Sequence, residues 1–583
     1  MALRKDGEND FVFLMNEATK TPTRASKLRH FATLAEGMEE VPNQPPTLPS
    51  KISSEEALAH IYLNNSTKQE YINTRLLSKD HGADIWPAYD KLSSCKKATH
   101  PPNVDYKETS VIVPLKDRLW HNDQRLFTLC GGKIGELLQK VPPGGTLMVQ
   151  AESKFGWDGS TGQSIFNQAF SPDNEDASDA SLLASCLCPL RYMTCDGDII
   201  FLNAVPQAAT YCQPVRMEYR KEDAAASQEI NAWVDAQLES LPLHLLILDI
   251  PGEEGKKYVE IKHTVLKTML DGKAKNAATG NDSTQTCFVC GATPTVMNNF
   301  KEEREKGNFP SLEAHLQYCG FCCLHCFLRC FDGFNSLSDR ILIKKWRVTK
   351  DCDKERVSKR QKKRKRKYWR KLGLIVDTPR ANGFGSSNTG NTARKAFQNE
   401  DVMAEITGVD ERLIHRTHVM LIVVNCHYEV DPQKLKKYGE ETAAMWTQLY
   451  PWYKMPVSIH QLYYHAWESL RLTSMPVSFL TEQTLESCNK TFKSDRLHHA
   501  RKTSQLNTIT DQFNRQTERS DLVIATHLVD KRKRKGREEL PADVIALLVP
   551  HAIEDALQAQ EEADGEERID DDVDDDDPLD WVV

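Results

Sequence analysis

The sequence lacks an apolar run of the ~20 residues that a bilayer span requires. Apolar stretches such as LHLLILDI and VMLIVVNC are strand-sized. The N-terminal MALRKDGEND is charged and has no apolar core, so no secretory leader is expected. No internal repeat is visible. A positive excess is missing too: the formal net charge is -8, which on average weighs against a nucleic-acid partner. These absences describe an intracellular, reducing setting without a membrane. There, the 16 cysteines are better explained by metal or by core packing than by disulfides.

The average charge conceals strong patterning. Residues 356–371 (RVSKRQKKRKRKYWRK) and 531–537 (KRKRKGR) are basic runs, and residues 561–580 are strongly acidic. Without that tail the remainder is slightly positive. Hydrophobic residues make up 40% of the chain, enough for a sizeable core.

Residues 1–50 have little periodic hydrophobicity and contain VPNQPPTLPSK, which reads as a disordered arm. Residues 51–140 have a helical pattern that opens on a capping signal, Ser53 to Glu56, and is interrupted at Pro87 and at Pro101 with Pro102. From 141 to 297 the texture changes. GTLMVQAES, DIIFLNAV, LPLHLLILDI and YVEIKHTVLKTML read as strands around one helix, ASQEINAWVDAQLESL, and suggest an α/β layer. Residues 298–475 are mostly helical in pattern, divided by a Gly/Asn loop, NGFGSSNTGNTARK. One more helix is expected within 476–525, from about Thr481 towards Lys502. Residues 526–583 hold a basic segment, a short apolar helix (ADVIALLVPHAIEDALQ) and the acidic tail, which cannot form a core.

Several groups of residues have chemical potential. Cys287 and Cys290 form a Cys-x-x-Cys knuckle, and His460 and His465 fall within the spacing of zinc-ligating histidine pairs. Spacing leaves two readings: one closed zinc site stapling distant segments, or two unrelated pairs. By itself it inclines to the second. A rival ribbon would join Cys287 and Cys290 to Cys319 and Cys322. Yet Cys323, Cys326 and Cys330, set among Phe321, Leu324 and Phe327, look like small hydrophobes on a buried helix. Asp158 and Asp271 each end a predicted strand in an Asp-Gly pair, ordinarily a turn. Glu486, four residues before Lys490, has the spacing of an exposed helical ion pair. Two-metal phosphoryl transfer needs three or four such carboxylates together.

Cations are also concentrated. Lys365, Arg366 and Lys367 lie beside Tyr368 and Trp369, a combination suited to phosphate and base stacking as well as to nuclear import. Lys490, Lys493 and Arg496 follow Glu486, where the plain alternative is a solvated helix face.

Taken in order, DGSTGQS, TMLDGK, CFVCGATP, LGLIVDTPRANGFGSSNTGNTARKAF, LYPWYKMPVSIHQLYYH and FLTEQTLESCNK resemble the Chapaev branch of DDE transposases. That branch is grouped with CACTA and Transib elements and with the catalytic subunit of the V(D)J recombinase. The resemblance spans residues 52–525. It implies an RNase H-like α/β nuclease core interrupted by a large, mostly helical, zinc-containing insertion. It implies catalytic Asp158, Asp271 and Glu486 holding two Mg²⁺ or Mn²⁺ ions, and a structural Zn²⁺ on Cys287, Cys290, His460 and His465. Asn388, Gly390, Asn391 and Arg394 match the family's Gly-Asn-x-Ala-Arg block and would touch DNA, along with the basic residues above. The implied protein is a nuclear, homodimeric cut-and-paste transposase acting on double-stranded transposon ends and target DNA.

Three departures stand against full activity. Leu312-Glu313-Ala314 replaces the family's Leu-His-Ala, an acidic residue expected shortly afterwards is replaced near Gly320, and no defined end-binding module precedes the core. The alternative is a domesticated, catalytically weak DNA- or chromatin-binding derivative. A third reading is a zinc adaptor built on residues 287–330.

Overall fold

The computed structural model describes residues 50–142, 144–163, 168–249, 256–281, 283–307, 323–379, 387–470, 475–530 and 539–565. Most of the expected N-terminal arm, Leu312 to Ala314, Cys319, Cys322, the 531–537 basic run and the acidic tail beyond 565 lie outside them.

The chain divides into two compact units. The smaller comprises 1–52 and 73–87. Within it, the Ile52 N–H donates to the Ile85 carbonyl at 3.0 Å, and Trp86 Nε1 donates to Ser78 Oγ at 3.1 Å. The larger comprises 53–72 and 88–583 and holds everything below.

Its centre is an eight-stranded mixed sheet. The strands are β1 (Asp105–Tyr106), β2 (Ser110–Ile112), β3 (Thr146–Thr161), β4 (Ser181–Thr194), β5 (Ile199–Leu202), β6 (Gln213–Glu218), β7 (His244–Asp249) and β8 (Lys256–Met269). Their order is β1-β2-β6-β4-β3-β8-β7, with β5 also paired to β4. β8 runs parallel to β3, and the other pairs are antiparallel.

Helices used below are α1 (Ser54–Leu63), α2 (Leu115–Gln139), α3 (Ala224–Glu239), α4 (Gly272–Ala278), α5 (Cys323–Arg340), α6 (Asp351–Leu372), α7 (Gly390–Phe397), α8 (Val457–Ser469), α9 (Gln483–His498), α10 (Gln505–Arg519) and α11 (Leu522–Asp530). The Ser53 capping box is formed: its Oγ accepts from the Glu56 N–H at 3.0 Å and Glu56 Oε2 accepts from the Ser53 N–H at 3.1 Å. Among the described residues, no helix is long and apolar enough to cross a membrane.

The sequence reading overlooked β1, β2, β4 and β6. β4 (SLLASCLCPLRYMT) is covered on both faces, so it carries no alternation. Proline inside a run also argues against a central strand. Here Pro189 and Pro214 are accommodated at register irregularities: Pro189 opposite Ser153, and Pro214 opposite Cys186. The Gly/Asn loop is shorter than expected, because Thr389 Oγ1 accepts from the Thr392 N–H at 3.2 Å and starts α7 at Gly390. The expected C-terminal apolar helix is split into Ala542–Ile545 and Pro550–Gly565, with Pro550 opening the second piece.

Each face of the sheet has its own core. One joins Ala184, Cys186 and Cys188 of β4 to α2, α9, α10 and α11 through Leu126, Leu485, Phe492, Phe513 and Leu522. The other joins Leu183 and Leu187 of β4 to α3 and to the helical layer from residue 300 onward, including Phe331, Phe334 and Trp446. The helical segment is therefore continuous with one face of the sheet.

A register irregularity between β3 and β4 coincides with an exchange of faces along β3. Leu147, Val149 and Ala151 belong to the α9 side, but Phe155 and Trp157 belong to the opposite core. The register shifts between Glu152 and Ser153. β3 advances one residue there while β4 advances two, from Arg191 to Pro189, so the extra residue is Leu190 of β4; beyond that point even-numbered Lys154 and Asp158 of β3 reach α9. Lys154, fully buried, donates from Nζ to the Thr481 carbonyl at 2.8 Å and Thr484 Oγ1 at 3.0 Å, pinning the start of α9 to β3.

Candidate metal centres

β3 and β8 come into tight contact at Gly156. A Cβ there would lie 1.7 Å from the Met269 carbonyl oxygen, so the crossing requires glycine. Asp158 and Asp271 each stand two residues beyond that crossing. Asp271 is the N-cap of α4, its Oδ1 accepting from the Ala274 N–H at 2.6 Å. Asp158 Oδ1 accepts from the Gly159 N–H at 2.9 Å, and its Oδ2 accepts from Asn489 Nδ2 at 2.6 Å. Asn489 lies one helical turn after Glu486 on α9, so this bond draws the two carboxylates together.

Asp158, Asp271 and Glu486 line one pocket of about 110 Å³ together with Trp157, Met269, His325, Glu482 and Leu485. Its electrostatics are those of carboxylates crowded in low dielectric. Burial, then Glu222, Glu486 and Asp271, push the Asp158 carboxyl up to about 8. Burial and Glu482 push Glu486 up to about 7. Burial and Asp271 also raise Glu222. Burial works against the charge of His325, but Glu482 and Glu486 raise it to about 9. His325 Nδ1 bonds to Glu482 Oε1, and its Nε2 stands 3.6 Å from Glu486 Oε1. His325, Glu482 and Glu486 together have the spacing of metal ligands.

A second centre lies elsewhere in the same unit. Cys287, Cys290, His460 and His465 are all buried, with one donor atom from each within 4.8 Å of the others. Cys290 Sγ is 3.4 Å from His460 Nε2, which is 3.2 Å from His465 Nε2. Burial opposes ionisation of the Cys287 thiol, yet Cys290 and the two imidazoles hold it well below its ordinary value.

These four donors fit a closed, structural, zinc-type site. The surroundings support the fit. His465 Nδ1 pairs with Glu468 Oε2 at 2.8 Å, directing Nε2 at the other donors, and Arg304 Nη2 donates to Glu468 Oε1 at 2.9 Å. Phe300 lies edge-on to His460 with ring centroids 4.5 Å apart, covering the cluster with apolar surface.

The residues expected at DNA are dispersed. Arg496 is fully buried, donating to Tyr219 Oη at 3.0 Å and pairing with Asp179. Asn388 is 7% exposed and donates to Asp332 Oδ1 at 2.8 Å and Asp377 Oδ1 at 2.7 Å. Both side chains hold the fold, a use that helical periodicity and motif matching did not reveal. Gly390 is buried at the start of α7, Asn391 is exposed, and Arg394 is half-buried with its guanidinium over the Phe327 ring. Lys490, Lys493 and Arg366 are exposed. Lys365 and Lys367 are half-buried and donate to the Asp377 and Glu405 carbonyls. Tyr368 is buried, donating to Asn335 Oδ1 at 3.1 Å, whereas Trp369 is 59% exposed.

Sequence reasoning missed Glu222, His325, Glu482, Asn489, Glu468 and Arg304. The i, i+3 spacing of Glu486 with Asn489 and of His465 with Glu468 was a usable signal; the others meet their partners only in three dimensions. No protein-family model matches this chain, and a comparison with curated proteins finds no match.

Proposed function

We propose that this chain is a DDE-type DNA transposase, cutting phosphodiester bonds and joining the freed ends at a divalent-metal centre on Asp158, Asp271 and Glu486. The observation that carries the proposal is the convergence of these three acids, from β3, the end of β8 and α9, in one pocket of about 110 Å³. The strand pattern supports an RNase H-like reading of the core: antiparallel β3, β4 and β6, then α3, then β8 parallel to β3. The four-ligand cluster supports a structural Zn²⁺ tying residues 287–290 to α8. The remaining elements of the proposal are a double-stranded DNA partner, a homodimeric state and a nuclear location.

The acid pocket suits hard divalent cations, since its oxygen donors are numerous and mutually repulsive. Bound there, paired Mg²⁺ or Mn²⁺ would favour the attacking oxygen nucleophile and stabilise the leaving oxygen. The chain's own groups orient the site. Asn489 and the Gly159 N–H fix Asp158, the α4 cap fixes one oxygen of Asp271, and Lys154 fixes the base of the helix that presents Glu486. In the first step water attacks phosphorus and the bond to the 3′ oxygen breaks, leaving a 3′-hydroxyl. In the second, that hydroxyl loses its proton and attacks a target phosphodiester, expelling the target's own 3′ oxygen.

The test is a nicking assay with Mg²⁺ or Mn²⁺ on DNA carrying the terminal sequences that flank the gene. The expected result is metal-dependent nicking that falls on the order of a thousand-fold or more in Asp271→Asn and in Glu486→Gln. Wild-type nicking by either variant would overturn the assignment.

A further inference from the structure

The three acids do not exhaust the pocket's donors. α5 brings a single imidazole into it, and the geometry around that ring is organised. Three core cysteines of the same helix, Cys323, Cys326 and Cys330, are buried with Phe331 and Phe334, so His325 projects from a packed platform. Its Nδ1 faces the buried Glu482, which comes from the residue that opens α9. That pairing fixes the ring and directs Nε2 towards Glu486 Oε1. The separation of 3.6 Å is too long for a hydrogen bond. It matches the spacing of two donors on one ion: donors about 2.1 Å from a shared cation and a little over a right angle apart stand ~3.5 Å from each other. Carboxylate, imidazole and a second carboxylate thus take the arrangement in which an outer carboxylate sets the tautomer of a ligating histidine.

We propose that His325 Nε2 and Glu486 form a nitrogen-containing cation subsite in the acid pocket, with Glu482 as the positioning residue, and that this subsite selects a manganese-class cation over magnesium. The inference rests on the reading of the pocket as a metal centre and adds which metal it prefers. Its physical basis is ligand softness. Magnesium dehydrates reluctantly and is held through carboxylates and retained water, whereas Mn²⁺ begins the first-row series whose affinity extends to sites with nitrogen donors. A pocket built from oxygen donors alone discriminates less. A single nitrogen at one vertex supplies the preference. Because Glu486 also faces Asp158 and Asp271, the subsite shares a ligand with the rest of the pocket.

The test uses the full chain with its zinc-type centre loaded. Mn²⁺ binding is followed by electron paramagnetic resonance, Mg²⁺ by competition against it, and directly bonded nitrogen by electron spin-echo modulation. For the wild type, Mn²⁺ binding at least tenfold tighter than Mg²⁺ is expected, with nitrogen modulation on the bound ion. In His325→Gln the ratio should collapse to within about threefold and the modulation should vanish. His325→Asp, which restores an oxygen donor, should bind Mg²⁺ as the wild type does while lacking the nitrogen signal. Circular dichroism of both variants checks that they fold, and the two substitutions differ enough that a folding defect in one leaves the other to decide. Nitrogen modulation that persists in His325→Gln, or an unchanged Mn²⁺/Mg²⁺ ratio, overturns this inference and leaves the metal centre standing. A wild-type chain that binds neither ion overturns both.

Discussion

Asp271 meets two demands with its two oxygens: one caps α4 and the other remains for the pocket. Aspartate and asparagine cap helices about equally well, whereas alanine does not cap. Removing the charge relieves the same repulsion in either substitution, so the difference between the two variants isolates the cap. Asp271→Ala should be less stable than Asp271→Asn by about 1 kcal/mol. In a domain of this size that difference lowers the melting temperature by roughly 2 °C. Differential scanning calorimetry of the two variants measures it, and equal melting temperatures would show that the cap contributes nothing. On the proposed function both variants are inactive, so stability and activity separate at this one position.

The cluster of Cys287, Cys290, His460 and His465 belongs to the scale of elements, because it joins a tight turn at 287–290 to α8 across the chain. Its outer residue Glu468 touches none of the four donors except through His465. Glu468→Gln should therefore weaken zinc binding roughly 10- to 100-fold without removing a ligand, as read by competition with a chromogenic chelator. Unchanged affinity would show that the His465 ring is held by packing alone. This centre also shows what the sequence disclosed and what it withheld. The two pairs were visible as spacings, and so were β8, α3 and the capped start of α1. Their union was not, since spacing alone gave no reason to join pairs so far apart in the chain; the family resemblance supplied that reason. β4 was hidden because a doubly covered strand has no alternation and Pro189 interrupts its run. In the acid pocket the ends of the strands were legible, but the partners of the carboxylates were not. His325 lies among cysteines whose pattern is that of a buried helix, and Glu482 next to an expected helix start, so neither position signals that the two meet.

At the scale of the whole molecule, net charge hides how the charges are distributed. The chain is acidic overall, yet α6 exposes Lys362, Lys363, Arg366 and Arg370 and turns Arg364 inward to Asp339 and Asp377 at 2.9 and 2.7 Å. The outward cations share one face with Trp369, while the inward arginine holds the helix in place. On the proposed function, binding of duplex DNA should weaken with salt, and alanine at the four exposed positions should flatten the logarithmic salt dependence by about 0.9 for each phosphate no longer neutralised. Arg364→Ala should instead destabilise the fold, because it leaves buried Asp339 and half-buried Asp377 without their cation. Fluorescence anisotropy across a salt series, with thermal melts alongside, distinguishes the two effects. An unchanged slope in the fourfold variant would place the DNA elsewhere.

The exchange of faces along β3 at Glu152 and Ser153 gives this site a parity. Before it Val149 and Ala151 belong to the α9 side; after it Lys154 and Asp158 reach α9 while Phe155 and Trp157 join the opposite core. Many exchanges of one residue for another leave that count intact. A change of a single residue in length does not: it would return Lys154 and Asp158 to the opposite core, among aromatic rings and without Asn489. Across this stretch, number is constrained more tightly than identity, and a natural variant is better tolerated here when it alters a letter than when it adds or drops one.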